Sequence, residues 1–337
     1  MFNYLEPPNA YYEFERIYTA EQWAKKQRWL INYLTEHQPD VIGFQEVFSI
    51  ESLKELVKEQ GYAYFAVVDE PQVIDDFIYK RPVVALTAKY PIVEVATVEH
   101  DHELAKTLGL TEDFTFSRKV LRATITLPHI GNTDCYVVHF KSKRSMIELD
   151  EQNKNLTPEK NIIELLKADI AGSWGSTIQR GSEATLLMID IIARRESTQN
   201  PMVLMGDFNN DLADGVLSHL LTNTLRFAPT FDSKTYLAKY CLNDAWQLFA
   251  KSQLNLANQN NENTVDLKRK PTHYFGASSS VLDYILLSCE FDSSYDDSFF
   301  EVSQYHTYDR HLINPEFERD DLSTDHGVVL ISLALRS

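Results

Sequence analysis

Cysteine is the first shortage. Only Cys135, Cys241 and Cys289 occur in 337 residues, odd in number and widely spaced. No disulfide framework or zinc knuckle can be built from them, and a reducing compartment, the cytoplasm, is the expected home. Positive charge is short as well: 32 Lys and Arg stand against 49 Asp and Glu, a formal net charge of −17. Phosphate neutralisation supplies most non-specific affinity for nucleic acid. An overall basic face for gripping long polyanions is therefore excluded, although a local basic site is not. The plain effect of the acid excess is solubility. No run approaches the roughly 18 apolar residues of a membrane span. The N-terminus lacks a basic region followed by an apolar one, but Met1 leads abruptly into Phe2-Asn3-Tyr4-Leu5-Glu6-Pro7-Pro8, so a targeting segment further upstream stays open. Repeats and low-complexity stretches are missing too.

What is present is ordinary globular composition, 44% hydrophobic and 24% charged, with 18 Phe, 17 Tyr and 4 Trp for one sizeable core. Length alone suggests about two domains, yet no linker of changed composition interrupts the chain. One domain over 1–337 is the expectation, as a monomer. Trp23, Leu30, Tyr33 and Leu34 recur at near-helical spacing over 21–37, and Pro39 stops that helix. Val41-Ile42-Gly43-Phe44-Gln45-Glu46-Val47 reads as a buried strand. Ser49 can cap a helix through Leu53, Leu56 and Val57 that ends at Gly61. Strands are expected at 62–68, 82–88 and 92–98, then a hairpin of 114–127 with 135–140 turning at Gly131-Asn132. Two helices, 158–171 and 178–196, come next, the second packing on a sheet through Leu186, Leu187, Ile189, Ile191 and Ile192. The stretch 201–206 is an apolar strand, 251–268 an Asn/Gln-rich exposed loop, and 281–287 and 327–335 are closing strands. Such alternation predicts the α/β class: a two-sheet β-sandwich flanked by helices.

Polar groups punctuate the ends of these apolar strands. Gln45-Glu46 follow Val-Ile-Gly-Phe, His139 follows Tyr-Val-Val, Asp207 and Asn209 follow Val-Leu-Met-Gly, and Asp325-His326 precede Gly-Val-Val-Leu. Asp283 lies inside Val281-Leu282-Asp283-Tyr284-Ile285-Leu286-Leu287. A buried carboxylate is costly unless paired, hydrogen-bonded or metal-bound. One such residue is explained by a turn cap; five at sheet ends call for a shared polar pocket. Carboxylate and amide oxygens with two imidazoles suit a hard divalent cation, and Mg²⁺ takes one or two carboxylates plus substrate phosphate oxygens. With no cysteine in the set, no nucleophile elbow and no P-loop, the parts are those of metal-assisted phosphoester hydrolysis.

The ordered series Gln45-Glu46, Ser117-Arg118, His139-Phe140-Lys141-Ser142, Gly206-Asp207-Phe208-Asn209, Leu282-Asp283-Tyr284-Ile285 and Ser323-Thr324-Asp325-His326 resembles the endonuclease/exonuclease/phosphatase superfamily over about 38–335. The resemblance implies a four-layer α/β/β/α, deoxyribonuclease I-like sandwich and a phosphoester substrate. It implies that Glu46 binds the metal with Gln45 steadying the site, and that Asp207 orients and helps deprotonate the attacking water. Asn209 would hold a phosphate oxygen. His139 would donate to the phosphate in the transition state, and His326 would be the second histidine on it, hydrogen-bonded to Asp283. Asp325 would lie beside the metal, expected to be Mg²⁺ with Mn²⁺ as the alternative. The family's first strand ends in a metal-site Asn, for which Asn3 is the candidate, although Met1 and Phe2 alone do not make a strand.

Arg118 and Arg122 compete for the phosphate, since strand alternation would put both on one face, and Lys141 could add charge at the rim, as could Lys143. His100 and His102 read as solvated, His306 and His311 as surface, His273 as a structural histidine, and Trp23, Trp29, Trp174 and Trp246 as core or its edges. The functions this leaves are a metal-dependent phosphodiesterase, a phosphatase of an inositol or lipid phosphate, a nuclease on DNA or RNA ends, and a silent binding module. The number of costly polar groups argues against silence.

Overall fold

Short apolar strands alternating with helices build four layers in the computed structural model, which describes residues 3–147, 157–223, 233–260 and 267–336. The first third holds β1 (Ala10–Tyr11), α1 (Ala20–His37), β2 (Val41–Val47), α2 (Ile50–Glu59), β3 (Tyr64–Ala66), β4 (Gln72–Ile74), β5 (Ile78–Lys80), β6 (Val83–Ala88) and β7 (Ile92–Thr97). The middle adds α3 (His102–Thr107), β8 (Leu121–Leu127), β9 (Gly131–His139), the long α4 (Pro158–Thr198) and β10 (Met202–Asp207). Then come α5 (Ser233–Ala238), β11 (Asn243–Asp244), α6 (Ala245–Asn260), β12 (His273–Phe275), β13 (Ser278–Ser280) and β14 (Asp283–Leu287). The chain closes with β15 (Phe300–Tyr308), α7 (Arg310–Ile313), α8 (Phe317–Asp320) and β16 (Val328–Leu335).

One sheet has six strands in the order β11-β14-β10-β9-β8-β7; the facing layer comes in two pieces, β2-β6-β3 and β15-β16. Period-two alternation sorts the side chains between layers. On β9, Tyr136 and Val138 pack with Ala184, Leu187 and Ile191 of α4, whereas Cys135 and Val137 pack with Ala66, Val84 and Leu86 of the second layer. On the far side of that layer, Trp23, Leu30, Leu53 and Val57 of α1 and α2 cover Phe44 and Ala85. The order α4, six-stranded sheet, split sheet, α1 with α2 is the expected α/β/β/α sandwich. All three cysteines are buried and free. No helix among the described residues is long and apolar enough to cross a membrane.

Helix α1 begins with a capping box: Gln22 N donates to Thr19 Oγ1 at 3.2 Å and Thr19 N to the Gln22 side chain at 2.8 Å. It ends at Gln38, which takes the left-handed conformation just before Pro39. Ser49 precedes α2 but makes no side-chain cap; its Oγ accepts from Glu6 N at 2.8 Å instead.

Several expectations need correction. The two helices of 158–171 and 178–196 are one helix of 41 residues. Gly172 and Gly175 do not end it, because the loop at 145–147 packs against them and Met146 N donates to Gly172 O. Gly131 and Asn132 belong to β9, paired with Leu127 and Thr126, so the hairpin turns at 128–130. The polar stretch at 251–268 is helical as far as Asn260, the end of α6; 261–266 lies outside the described residues. Trp174 is 64% exposed on α4 rather than part of a core. His100 is buried against Phe114 and Phe116, and His311 is buried too.

Candidate active site

Sheet register assembles the centre of the site. Asp207 is the Cα partner of His139 on the neighbouring β9 and of Asp283 on β14. Partners in register share a face of the sheet, so His139, Asp207 and Asp283 form one row across three strand ends. His326 completes it: its Nδ1 lies 2.8 Å from Asp283 Oδ2. Asp207, Asp283 and His326 can bring one ligand atom each within 4.8 Å of the others. His139 Nε2 lies 3.4 Å from Asp207 Oδ2, while its Nδ1 is buried with no hydrogen-bond partner.

Burial and neighbouring charge set the protonation of this row. Burial, reinforced by the Asp283 charge, lifts the Asp207 carboxyl well above the usual carboxylate range. His139 is pushed well below the ordinary histidine value by burial, with the charges of Arg118 and His326 adding to the effect. Burial also works against charging His326, but the Asp283 carboxylate on its Nδ1 overcomes that and raises it to about 10. The site thus holds one neutral imidazole, one imidazolium, and a carboxylate tuned toward proton acceptance.

Local backbone geometry places the remaining groups. Gly206 has φ 144°, and a Cβ there would come 2.0 Å from Val138 O, so only glycine lets β10 run this close to β9 just before Asp207. Asn209 follows in a tight turn at φ 53°: its N donates to Asp207 Oδ1 at 2.7 Å and its Nδ2 to Phe140 O at 2.9 Å. Glu46 sits where the β2–β6 register shifts, with φ 60°, a bulge that re-aims the side chain off the regular ladder. Asn3 N donates to Glu46 Oε2 at 3.0 Å, and Asn3 Oδ1 is buried without a partner. Asp325 is exposed beside His326.

Arg118 and Arg122 part company. Arg118 lies in a bend before β8, so strand alternation never applied to it. It acts electrostatically on His139 and Lys141 and hydrogen-bonds the Tyr12 side chain. Arg122 points elsewhere, bonded to Glu94 at 2.6 Å. Lys141 Nζ donates to Arg144 O at 3.0 Å, folding over its own loop at the rim.

Other contributors carried no sequence signal as functional residues. Glu183, buried on α4, accepts from Ser117 N at 2.7 Å and from Lys141 N at 2.8 Å, clamping together the loops that carry Arg118 and Lys141. Thr272 accepts from Asp283 N at 3.2 Å and its carbonyl takes Gly327 N, drawing Asp283 and His326 together. Buried Lys26 donates to Leu322 O at 3.4 Å and Ser323 O at 3.0 Å, steadying the loop that leads to Asp325. His311 Nε2 donates to His326 O at 2.9 Å, so His311, expected at the surface, stands behind the site; the ring of His273, expected as a structural histidine, lies 5.0 Å from that of His326. Such residues are found by their long-range partners, not by local pattern.

A helix-flanked sandwich with carboxylates and imidazoles in register at its strand ends defines a hydrolase of phosphoric esters. The profile of the Endonuclease/Exonuclease/phosphatase family matches residues 15–295. The chain belongs to that family and is a divalent-metal-dependent phosphoric ester hydrolase. No curated protein matches it by sequence. Among solved structures, the human Nocturnin catalytic domain with bound sulfate anion is similar at 15% identity and TM-score 0.53, covering 93% of this chain and 87% of that one. Humanized D. rerio TDP2 is similar at 13% identity and TM-score 0.52, with 94% of each chain covered. Truncated Caenorhabditis elegans TDP2 is similar at 12% identity and TM-score 0.51, with coverage of 92% and 90%. At these identities the likeness speaks for the fold.

Proposed function

We propose that the protein is a Mg²⁺-dependent phosphodiesterase that works by in-line attack of water on a small or terminal phosphoester. The observation that carries this reading is the row His139, Asp207, Asp283 with His326 locked onto Asp283. The residues present suit a hard cation. Glu46 and the partnerless Asn3 Oδ1 are hard oxygen donors next to each other, and Asp325 adds a nearby carboxylate. When bound, the cation would polarise a phosphate oxygen and offset charge developing on it.

Asp207, held above the usual carboxylate range, is the group to orient the water and accept its proton near neutral pH. His326 keeps its charge through Asp283 and presents the opposite ring nitrogen to the phosphate, where a fixed positive donor counts most in the transition state. Neutral His139 donates one further hydrogen bond, Asn209 steadies a phosphate oxygen, and Arg118 and Lys141 bind the ester at the rim. Arg122, committed to Glu94, drops out of the binding set.

A phosphatase acting on an inositol or lipid phosphate is the second reading. A pocket of about 700 Å³ next to Asp325, lined in part by Tyr11, Tyr18 and Gln22, is of small-ligand size and favours a compact leaving group. Hydrolysis of bis(p-nitrophenyl) phosphate and p-nitrophenyl phosphate with Mg²⁺ or Mn²⁺ tests both. Faster diester turnover that stops on chelation is expected; faster monoester turnover would favour the phosphatase, and none with any divalent metal would overturn both. Glu46→Gln should raise the Mg²⁺ concentration needed for half-maximal rate, because a ligand charge is lost. An unchanged metal titration would take Glu46 out of the metal shell.

A further inference from the structure

Trp174 does not stand alone on the surface of α4. The N-terminal half of the helix is least exposed at Asn161, Leu165, Ala168, Gly172 and Ser176, which mark its inner side. The opposite side, which a surface helix keeps polar, carries Ile163, Leu166, Ile170 and Trp174, flanked by Ile162 and Ile178, all of them exposed. The usual arrangement is therefore inverted, with the larger apolar side chains outside. Further along, the same helix is ordinary: Leu187 and Ile191 face the six-stranded sheet and are buried. An exposed apolar face this continuous marks an interaction site.

Three features select a second copy of the same helix as its occupant. Spacing is the first. The positions 163, 166, 170 and 174 advance by three and four residues, the seam of one helix packed against another. Area is the second. Six large apolar side chains, each exposing on the order of 100 Å², offer about 600 Å², and a specific pair buries roughly 600 to 1,000 Å² on each partner. Charge is the third. Glu159, Lys160, Glu164, Lys167 and Asp169 all precede Ile170, and 171–179 carry no charge. An antiparallel pair centred on Ile170 sets the charged half of each helix against the uncharged half of the other, so like charges do not meet. A parallel pair would stack every charge on its own equivalent. A lipid surface fits poorly, because helices that lie on membranes carry an excess of Lys and Arg. Here two bases accompany three acids on a chain of net −17.

We propose that the protein is a homodimer, in place of the expected monomer, joined by antiparallel pairing of 162–178 of α4 about a two-fold axis near Ile170. Leu166 then meets Trp174 of the partner subunit, and Ile170 meets Ile170 of the partner subunit. Such a contact uses the same patch on both copies and closes on itself. It forms against the repulsion of two acidic chains, so salt that screens this repulsion strengthens it. The inference rests on packing and stands apart from the phosphoester chemistry.

The test is sedimentation velocity of the full chain up to about 100 µM, at about 50 and 500 mM NaCl, with Tm as the check on folding. Wild type should be a dimer that tightens with salt. Ile170→Glu should raise the dissociation constant by at least ~10²-fold, since it sets two like charges face to face, and leave Tm unchanged. Phe299→Glu, at an equally exposed aromatic elsewhere, should leave the dimer intact. A monomeric wild type at the highest concentration would overturn the proposal, as would a dimer that Ile170→Glu leaves unaltered. A monomer that binds phosphatidylserine/phosphatidylcholine vesicles and loses them in Ile170→Glu would also overturn it, assigning the face to lipid.

Discussion

Asp207 and Asp283 face each other as register partners across β10 and β14, and like charges so placed repel. His326 relieves that repulsion by taking a proton and lying on Asp283 Oδ2 at 2.8 Å. Removing either member of the pair upsets the charge balance of the row, which in the proposed mechanism lies beside the phosphate. His326→Ala should lower kcat by at least ~10²-fold, the scale of a lost general acid–base or charge-stabilising group. Asp283→Asn should do nearly as much, since the imidazole then loses its charge near neutrality; steady-state kinetics at saturating Mg²⁺ reads both. The same pair predicts a pH effect on stability in metal-free buffer. The folded value of His326, about 10, lies above the ~6.5 of an unfolded histidine. The folded chain therefore holds the extra proton between those values. The pair's stabilisation is full below ~6.5 and lost as pH rises through about 10. Tm followed from pH 6 to 10 should fall in wild type and fall less in Asp283→Asn; parallel curves would remove the pair as the cause.

At the scale of elements, the site depends on the ends of β9 and β10 and the start of β14 lying in register, and glycine permits it. Gly206→Ala places a Cβ against Val138 O at a φ that disfavours any side chain. It should cost roughly 2 to 4 kcal/mol and displace Asp207, so both denaturation midpoint and kcat should drop. Wild-type stability in the variant would mean that the approach of β10 to β9 is less rigid than the geometry requires. Elements of this kind were legible in the sequence because an apolar run with a carboxylate or imidazole at one end is a local pattern: β2 and β10 carry it at their C-terminal ends, β14 at its start, and β16 just ahead of its start. Arg118 and Arg122 could not be separated, because the choice depended on where β8 begins, and Glu94, the partner that claims Arg122, lies 28 positions away. Glu183, Thr272 and Lys26 were invisible for the same reason. Their work is done through backbone groups up to 297 residues distant, which no periodicity encodes. The single long α4 replaces the expected pair of helices because Gly172 and Gly175, between the two expected spans, are where a loop packs closely on the helix rather than where it ends.

For the whole molecule the governing quantity is charge. A net −17 opposes the approach of a long polyanion to the proposed phosphate site. Local basic groups do little to reverse this: Arg122 is spent on Glu94, Arg180 donates to Lys141 O, Lys119 pairs with Asp69, and Lys141 folds over its own loop. Arg118 remains as the guanidinium next to His139. A nuclease that tracks duplex DNA needs several phosphate contacts, each adding a slope of about −0.9 to log K against log salt. With one or two such contacts, affinity for plasmid should be weak and nearly flat in salt, while short oligonucleotide ends and small esters should be cleaved with little salt dependence. Supercoiled plasmid, short oligonucleotides, inositol phosphates and sphingomyelin assayed side by side at low salt decide the matter. Efficient plasmid nicking that collapses between about 50 and 200 mM salt would mean that a basic groove at the site outweighs the acidic surface, and the preference for small or terminal esters would then be wrong.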